Sequence, residues 1–389
     1  MIDLVKQIHE QEANEEDILI TDRHIVADRT MHLYRKATFK NCDIEIAPHN
    51  APRFILEKDA VVVFEKCRFV GTLAKPVEGS STHPAFISAP EDSAITFISC
   101  HMENPDSFIS SAGAVNLHGC EISYRGSAVS GDDAYKSEGN NSLLMQYAEI
   151  SKAFGVKMQD AGFTEKNPVG ALACWFISAD GGEVEMTDCI LDCEKNSDYS
   201  VALAMEQGAL RNCNISGAHK IGAGVLYNCT FDECITINLQ VERGNGEATD
   251  CRFVNCHMID AYESALTGCE ITGLEDCLSL GLSTVEECTI RNVKPETDGM
   301  ISLGGSELTN CLFENITLKD DFLLISADND SSLTGCTFKT CRTTREDLQL
   351  ISAGGYKGKV IKKWVEDDIC YDCTGLDKII HIESWEEDA

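Results

Sequence analysis

A short motif with a cysteine at its centre recurs along most of this 389-residue chain. It reads apolar-x-x-Cys-x-apolar, as in Phe39-Lys-Asn-Cys42-Asp-Ile44 and Phe64-Glu-Lys-Cys67-Arg-Phe69. Twelve copies carry the cysteine and a thirteenth carries Ala148 in its place; the cysteines are Cys42, Cys67, Cys100, Cys120, Cys189, Cys213, Cys229, Cys251, Cys269, Cys288, Cys311 and Cys336. The twelve steps from Cys42 to Cys336 cover 294 residues, a mean of 24.5. A period of roughly 20–50 residues is typical of a solenoid.

The residues around each cysteine predict strands and corners rather than helices. All 26 flanking apolar positions of the thirteen copies are filled by apolar residues, although such residues make up 43% of the chain. The residue before the cysteine is Asn, Asp or Gly in nine copies, and these types tolerate the left-handed backbone of a sharp corner. The short alternating runs lack the 3.6-residue spacing of a helical repeat. Related segments with a central serine, at Ser88, Ser178, Ser326 and Ser352, predict a second strand in each coil, with the serines in a hydroxyl ladder or on an exposed face.

This pattern resembles the right-handed parallel β-helix superfamily, the pectin-lyase-like fold, over roughly residues 31–356. The resemblance implies an all-β, single-stranded solenoid of about 13 coils with an internal cysteine ladder. Equivalent residues stack every ~4.8 Å, so each cysteine is expected to be a small apolar filler. That spacing also permits disulfides. We expect reduced thiols in a cytoplasmic protein, because the N-terminus has no basic region and no apolar signal core.

We expect three segments: an N-terminal cap at 1–22, the β-helix at 23–356, and a C-terminal cap with an acidic tail at 357–389. Met1, Leu4, Val5 and Ile8 have the spacing of one apolar helix face, which suits a lid over the open end of a solenoid. The C-terminal segment leaves the repeat pattern and has room for one further irregular coil.

Insertions near 71–85, 124–142 and 153–170 lengthen three of the repeats. Those near 71–85 and 153–170 are expected at one corner of the solenoid, and insertions in repeat proteins often gather on a binding face. The candidate binding residues are Lys75, His83, Arg125, Tyr135, Lys136, Lys157 and Lys166. The alternative is that these insertions decorate the solenoid without a function.

The candidate catalytic residues are Asp132, Asp133, His219 and Lys220. Paired carboxylates can act as the acid and base of a glycosidase. The chain offers only Gly217-Ala-His219-Lys220 where polygalacturonases have Gly-His-Gly, and it lacks their downstream Arg-Ile-Lys. The aspartate pair in Ser-Gly-Asp-Asp is equally good turn chemistry. Cys370 and Cys373 form a single Cys-x-x-Cys without a second pair, so we expect no metal and no cofactor.

The first hypothesis is a non-catalytic cytoplasmic solenoid that serves as a rigid protein-interaction scaffold. The second is a carbohydrate-active enzyme, a polysaccharide lyase or glycoside hydrolase, with its site at the insertions. A weaker third is an acidic mimic of nucleic acid. The net charge of −32 disfavours nucleic acid and anionic membranes as partners, because both are polyanions.

Overall fold

The computed structural model describes Ile8 and residues 17–47, 51–71, 85–105, 107–125, 172–179, 181–194, 199–239, 246–293, 300–318, 324–327, 331–343, 351–355, 369–371 and 380–384. Within these ranges the structure is β-strand and corner, apart from Ile8, which is helical and buried. The chain divides into two compact units. Unit 1 comprises Met1–Val115, Gly119–Ala179 and Cys193–Ala202, and unit 2 comprises Asn116–His118, Asp180–Asp192 and Leu203–Ala389.

The strands of the first half are short, mostly three to five residues. They are β1 (Ile18–Thr21), β2 (His24–Ala27), β3 (Met31–Leu33), β4 (Ala37–Lys40), β5 (Asp43–Ile46), β6 (Phe54–Leu56), β7 (Val61–Glu65), β8 (Arg68–Gly71), β9 (Ile87–Ala89), β10 (Ala94–Ile98), β11 (His101–Glu103), β12 (Ile109–Ser111), β13 (Ala114–His118), β14 (Glu121–Tyr124) and β15 (Leu172–Ala179).

The strands of the second half follow the same plan, with two longer members. They are β16 (Val184–Thr187), β17 (Ile190–Cys193), β18 (Tyr199–Arg211), β19 (Asn214–Ser216), β20 (Lys220–Tyr227), β21 (Thr230–Asp232), β22 (Thr236–Leu239), β23 (Gly246–Thr249), β24 (Arg252–Val254), β25 (Met258–Tyr262), β26 (Ser264–Thr267), β27 (Glu270–Thr272), β28 (Cys277–Gly281), β29 (Thr284–Glu286), β30 (Thr289–Arg291), β31 (Ile301–Gly304), β32 (Glu307–Thr309), β33 (Leu312–Glu314), β34 (Thr317–Leu318), β35 (Ile325–Ala327), β36 (Ser332–Thr334), β37 (Thr337–Lys339), β38 (Arg342–Thr343), β39 (Ile351–Gly355), β40 (Ile369–Tyr371) and β41 (Ile380–Ser384).

Strands of successive coils pair in parallel, three strands apart in unit 1 and two to four strands apart in unit 2, and each unit has three strand stacks. In unit 1 the first stack is β3-β6-β9-β12-β15, the second is β1-β4-β7-β10, and the third is β2-β5-β8-β11-β14. In unit 2 the third stack runs from β17 through β40, and β22-β25-β28-β31-β35-β39-β41 lies in the first. Connections between parallel strands are almost always right-handed. Each unit is therefore a right-handed parallel β-helix, and the predicted architecture is confirmed.

The corner before each cysteine has the predicted left-handed backbone. Positive φ angles of 49–65° occur at the preceding residue in all twelve cysteine copies, namely Asn41, Lys66, Ser99, Gly119, Asp188, Asn212, Asn228, Asp250, Gly268, Glu287, Asn310 and Gly335. Neighbouring corner amides also bond to each other: Asn228 Nδ2 donates to Asn212 Oδ1 over 2.9 Å. The left-handed turn therefore recurs with side chains as different as Lys66 and Gly119. Hydrogen bonds between the corners of neighbouring coils stabilise it in addition to the residue type.

The cysteines of the ladder are buried and free, and they also donate hydrogen bonds. Cys229 Sγ, for example, lies 3.3 Å from the carbonyl oxygen of Tyr227 in its own corner and 3.3 Å from that of Leu210 in the preceding coil. Cys213 makes the same two contacts, also at 3.3 Å, with Arg211 and Met186. The thiol is therefore more than an apolar filler, since it gives each corner a weak second donor beside the backbone N–H that carbonyls such as Tyr227 already accept from the neighbouring coil.

A second ladder, made of serine, occupies the corner between the first and second stacks of unit 2. Ser264, Ser283, Ser306 and Ser331 are buried. Ser283 Oγ donates toward the carbonyl oxygens of Ala261 (3.0 Å) and Gly281 (2.9 Å) and accepts the N–H of Ser264 (3.1 Å). Ser306 repeats the pattern, since its Oγ accepts the N–H of Ser283 over 3.0 Å. This ladder differs from Ser88, Ser178 and Ser326, which lie on the outward face of the first stack.

The prediction that Ala148 fills one rung of the cysteine ladder is wrong. Ile109–Ser111 of β12 pairs directly with Ile177–Ala179 of β15, and Cys189 Sγ lies 3.5 Å from the carbonyl oxygen of Leu117. These contacts leave no room for another coil between them. Residues 126–171, which include Ala148, connect β14 to β15 and lie outside the described residues.

The ends of the chain are described only in part. Of the predicted helix at 1–13, the structure describes Ile8 alone, and β1 at Ile18–Thr21 already pairs with β4. In the predicted C-terminal cap, β40 pairs with β37 and β41 pairs with β39, both in parallel. Among the residues the structure describes, no helix combines the length and hydrophobicity needed to cross a bilayer.

We expect all twenty cysteines to titrate as free thiols when the protein is denatured without reductant. The structure describes seventeen of them as free, and of these only Cys277 is not fully buried. Burial raises the pKa of Cys277 to about 11, with the Asp276 and Asp260 carboxylates as further causes, so this thiol should also react slowly at neutral pH. A colorimetric thiol assay on native and denatured protein makes the measurement. A denatured count near zero would mean that the ladders form disulfides.

Candidate functional site

Most of the predicted site residues lie outside the described residues. These are Lys75, His83, Asp132, Asp133, Tyr135, Lys136, Lys157 and Lys166. The segments that carry them leave the β-helix of unit 1 at equivalent positions, because Gly71 ends β8 and Tyr124 ends β14 in the same strand stack. The shared corner expected for the insertions near 71–85 and 153–170 stays a prediction, since 153–170 lies outside the described residues. Arg125, the last described residue there, donates its backbone N–H to Asn104 Oδ1 over 2.7 Å.

His219 and Lys220 lie in unit 2, at the corner that begins β20. His219 is half-buried, and burial lowers its pKa, with Lys220 as a smaller cause. The imidazole is therefore neutral at pH 7. The backbone oxygen of His219 accepts the N–H of Thr236 over 3.0 Å. Asp132 and Asp133 lie outside the described residues, so a catalytic site formed by the four candidates stays a prediction.

The most distinctive exposed feature of unit 2 is an aromatic side chain on the first strand stack. Tyr262 ends β25 and is 44% exposed. In the register of the stack it pairs with Gly281, and Gly281 pairs with Gly304. A methyl group built on Gly281 would lie 2.6 Å from Tyr262 Cδ2 and 3.2 Å from its Cε2. The tyrosine ring therefore lies across the glycine backbone of the next coil, a position that any side chain there would block.

An exposed leucine sits at the next corner beside this tyrosine. Leu282 is 55% exposed and has a φ of 50°, a left-handed conformation that costs a leucine roughly 1–2 kcal/mol. Its Cδ2 would lie 2.8 Å from a methyl group built on Gly305, so it too covers a glycine of the following coil. Glycine would suit this corner better, and the leucine buries little. An apolar side chain kept in such a position favours a binding role.

Polar side chains form a row beside Tyr262, one on each strand of the stack. Asn238, Asp260, Ser279, Ser302 and Ser326 follow one another in register and point outward. The first three are half-buried and the two last serines are exposed. The Oδ1 atom of Asn238 is buried without a hydrogen-bond partner. We call the outward side chains Asn238, Asp260, Tyr262, Ser279 and Ser302, with Gly281 beneath the ring, the Tyr262 surface.

Acidic groups dominate the charge around the Tyr262 surface. Asp260 on β25 and Asp276, just before β28, both help to raise the pKa of Cys277, so both carboxylates act electrostatically on that thiol. His257 Nε2 lies 3.7 Å from Asp276 and its Nδ1 lies 3.9 Å from Glu275. Lys220 is two strands away from β25, at about 10 Å. The surface therefore joins an aromatic ring to hydroxyl, amide and carboxylate groups with a negative local field.

The outward face of the third stack is different, because its charges alternate. In unit 1, Arg68 bridges Asp43 and Glu103 at 3.3 and 3.1 Å. In unit 2, Glu270 accepts from both Arg252 and Arg291. Such exposed pairs add little stability each, but they neutralise this face.

Among the described residues, no three His, Cys, Asp or Glu side chains are arranged to hold a metal ion.

Sequence reasoning missed Tyr262, because this residue lies neither in a cysteine motif nor in one of the three insertions. The signal becomes visible when Ala261-Tyr262 is aligned with Leu280-Gly281 and Leu303-Gly304 of the following coils. An aromatic residue followed one and two coils later by glycine predicts a ring lying over backbone. That alignment needs the strand register, which the cysteine spacing alone does not provide.

Comparisons with known proteins add likenesses of fold. No protein-family model matches the chain, and no curated protein matches it. Tailspike protein 3 of bacteriophage CBA120 is 10% identical, with a TM-score of 0.42, covering 96% of this chain and 59% of the tailspike. The surface adhesin PfbA of Streptococcus pneumoniae is 9% identical, with a TM-score of 0.39, covering 97% of this chain and 88% of the adhesin. A family 28 exopolygalacturonase of Yersinia enterocolitica is 10% identical, with a TM-score of 0.33, covering 90% and 74%.

Proposed function

We propose that this protein is a carbohydrate-binding β-helix and that the Tyr262 surface of unit 2 is its binding site. The observation that carries the proposal is the exposed Tyr262 ring lying across Gly281. A sugar ring presents an apolar face of C–H groups, which packs on an aromatic face, and a rim of hydroxyls. Asn238, Asp260 and Ser279 supply acceptors and donors for that rim within one or two strands of the ring.

The polar row supports the same proposal, because Asn238, Asp260, Ser279 and Ser302 lie in register on four consecutive strands beside the ring. The strain at Leu282 supports it as well, because an exposed apolar side chain in a left-handed conformation stabilises the solenoid little.

Tyr262→Ala is expected to weaken glycan binding by about tenfold or more, since aromatic stacking contributes ~1–3 kcal/mol. Calorimetric titration with a panel of soluble oligosaccharides makes the measurement. Tyr262→Phe should retain binding. Gly281→Ala should weaken binding, because the new methyl group would displace the Tyr262 ring. The backbone of Gly281 is not in the left-handed region, so alanine itself adds no backbone strain there. Tyr227→Ala is the matched control, since Tyr227 is also 44% exposed. Equal binding by the Tyr262→Ala and Tyr227→Ala variants would overturn the proposal.

The protein-interaction scaffold is the second candidate, favoured by the exposed apolar pair Tyr262 and Leu282. A pull-down that recovers a stable protein partner with the wild-type protein but not with the Tyr262→Ala variant would favour the scaffold over glycan binding.

The acidic mimic of nucleic acid has weaker support, because the charges on the described third-stack face alternate in sign. A cytoplasmic location is proposed from the free thiols, and the thiol titration tests it.

A further inference from the structure

The charges of the Tyr262 surface bear on which sugars it could take. Asp260 and Tyr262 are two residues apart on β25 and both point outward, so their Cα atoms are about 7 Å apart. That distance is roughly the reach of one sugar ring with its substituent. Asp260 is half-buried, and it has no ion pair among the described residues. A ligand stacked on the ring would therefore meet an uncompensated carboxylate.

The surrounding groups strengthen this negative field. Asp276 and Glu275 lie at the start of β28, and Glu263 follows Tyr262 at the corner. His257 lies within 4 Å of Asp276 and Glu275 and not of Asp260, and Lys220 is two strands away. A sugar carboxylate or sulfate placed here would be desolvated beside like charge, which disfavours its binding.

We propose that the glycan bound here is built of amino sugars with free, protonated amino groups, one of which pairs with Asp260 while its ring packs on Tyr262. This inference rests on the proposed function, since it names the sugar class of that same site. An ammonium donor fits a lone carboxylate that is already partly desolvated, because a charge-assisted hydrogen bond is about twice as strong as a neutral one. The half-buried Ser279 hydroxyl, one strand away in register with Asp260, can bond to a neighbouring amino or hydroxyl group.

The test compares three soluble hexasaccharides by calorimetric titration. They are the hexamers of glucosamine with free amino groups, of N-acetylglucosamine and of galacturonate. The wild-type protein should bind the deacetylated oligomer about tenfold more tightly than the acetylated one, and the galacturonate oligomer not at all. Asp260→Asn should bring the ratio of the two affinities close to one, because the deacetylated oligomer loses its charged partner and the acetylated one does not. Tyr262→Ala should weaken both.

A control is needed because a chain of net charge −32 attracts any polycation. Asp232→Asn makes the same change in net charge on the exposed third-stack strand β21, and it should keep the preference. Binding of both glucosamine oligomers with equal affinity would overturn this inference and leave the glycan site intact. A preference lost equally in Asp232→Asn would overturn it too. Failure to bind any of the three, or any oligosaccharide of the panel, would overturn the proposed function itself.

Discussion

Phe64→Ala is expected to lower the free energy of unfolding by about 4 kcal/mol. Phe64 is fully buried in unit 1 and stacks between Phe39 and Phe97 of the adjacent coils, with ring centroids 4.8 and 5.2 Å away. It also meets Phe54 and Phe69 edge-on at 5.8 and 5.2 Å. The substitution leaves a cavity that cannot close, because the strands above and below are held in register by the backbone. Urea denaturation followed by circular dichroism gives the free energy.

Two variants of the same strand calibrate this result. Phe64→Leu keeps much of the volume and should cost about 1–2 kcal/mol. Val61→Ala changes an outward side chain that is 42% exposed and should cost less than about 0.5 kcal/mol. If Phe64→Ala unfolded at the same urea concentration as Val61→Ala, the stacked phenylalanines would not form the core of unit 1.

Ser283→Ala is expected to cost about 2 kcal/mol although it removes a single oxygen atom. Ser283 is 1% exposed, and its hydroxyl both accepts the N–H of Ser264 and donates to the carbonyls of Ala261 and Gly281. Alanine would leave a buried N–H without an acceptor, and that group would pay its full desolvation penalty. The same denaturation experiment measures the effect.

Ser283→Cys tests whether the two ladders use the same chemistry. A thiol is a weaker donor and acceptor, but the cysteine rungs show that it fits an equivalent corner, where Cys288 Sγ accepts the N–H of Cys269 over 3.3 Å. We expect Ser283→Cys to cost less than Ser283→Ala. Ser302→Ala, on the exposed face, is the control and should be nearly neutral. A Ser283→Ala variant as stable as Ser302→Ala would show that the serine ladder does not hold the corner.

The strands and the cysteine corners could be predicted because each depends on residues close together in the sequence. An apolar residue three before and two after each cysteine, with Asn, Asp or Gly at the turn, identifies a strand, a corner and a strand. Ala148 shows the limit of such local patterns. Its segment has the same spacing, yet the pairing of β12 with β15 leaves it no rung, and the motif alone does not reveal which strands become neighbours.

The cysteine motif could not predict the candidate site. Tyr262, Gly281 and Asn238 come from three different coils, and their proximity depends on the exact pairing of β22, β25 and β28. Shifting one strand by a residue would turn Tyr262 inward, because side chains alternate between the two faces. The predicted residues His219 and Lys220 lie in the same unit, at the corner before β20 and at its first position, and take no part in the Tyr262 surface.

The sequence by itself determined that the chain winds into a parallel β-helix and that its cysteines lie inside, because both follow from a short repeated pattern of apolar, turn and thiol residues. Only the tertiary structure decided which hydrogen bonds the thiols and serines make, which copy of the motif is not a rung, and where an exposed ring meets a polar row. These properties depend on the register between coils. That register is fixed when distant strands pair, so it is a property of the stack rather than of any one repeat.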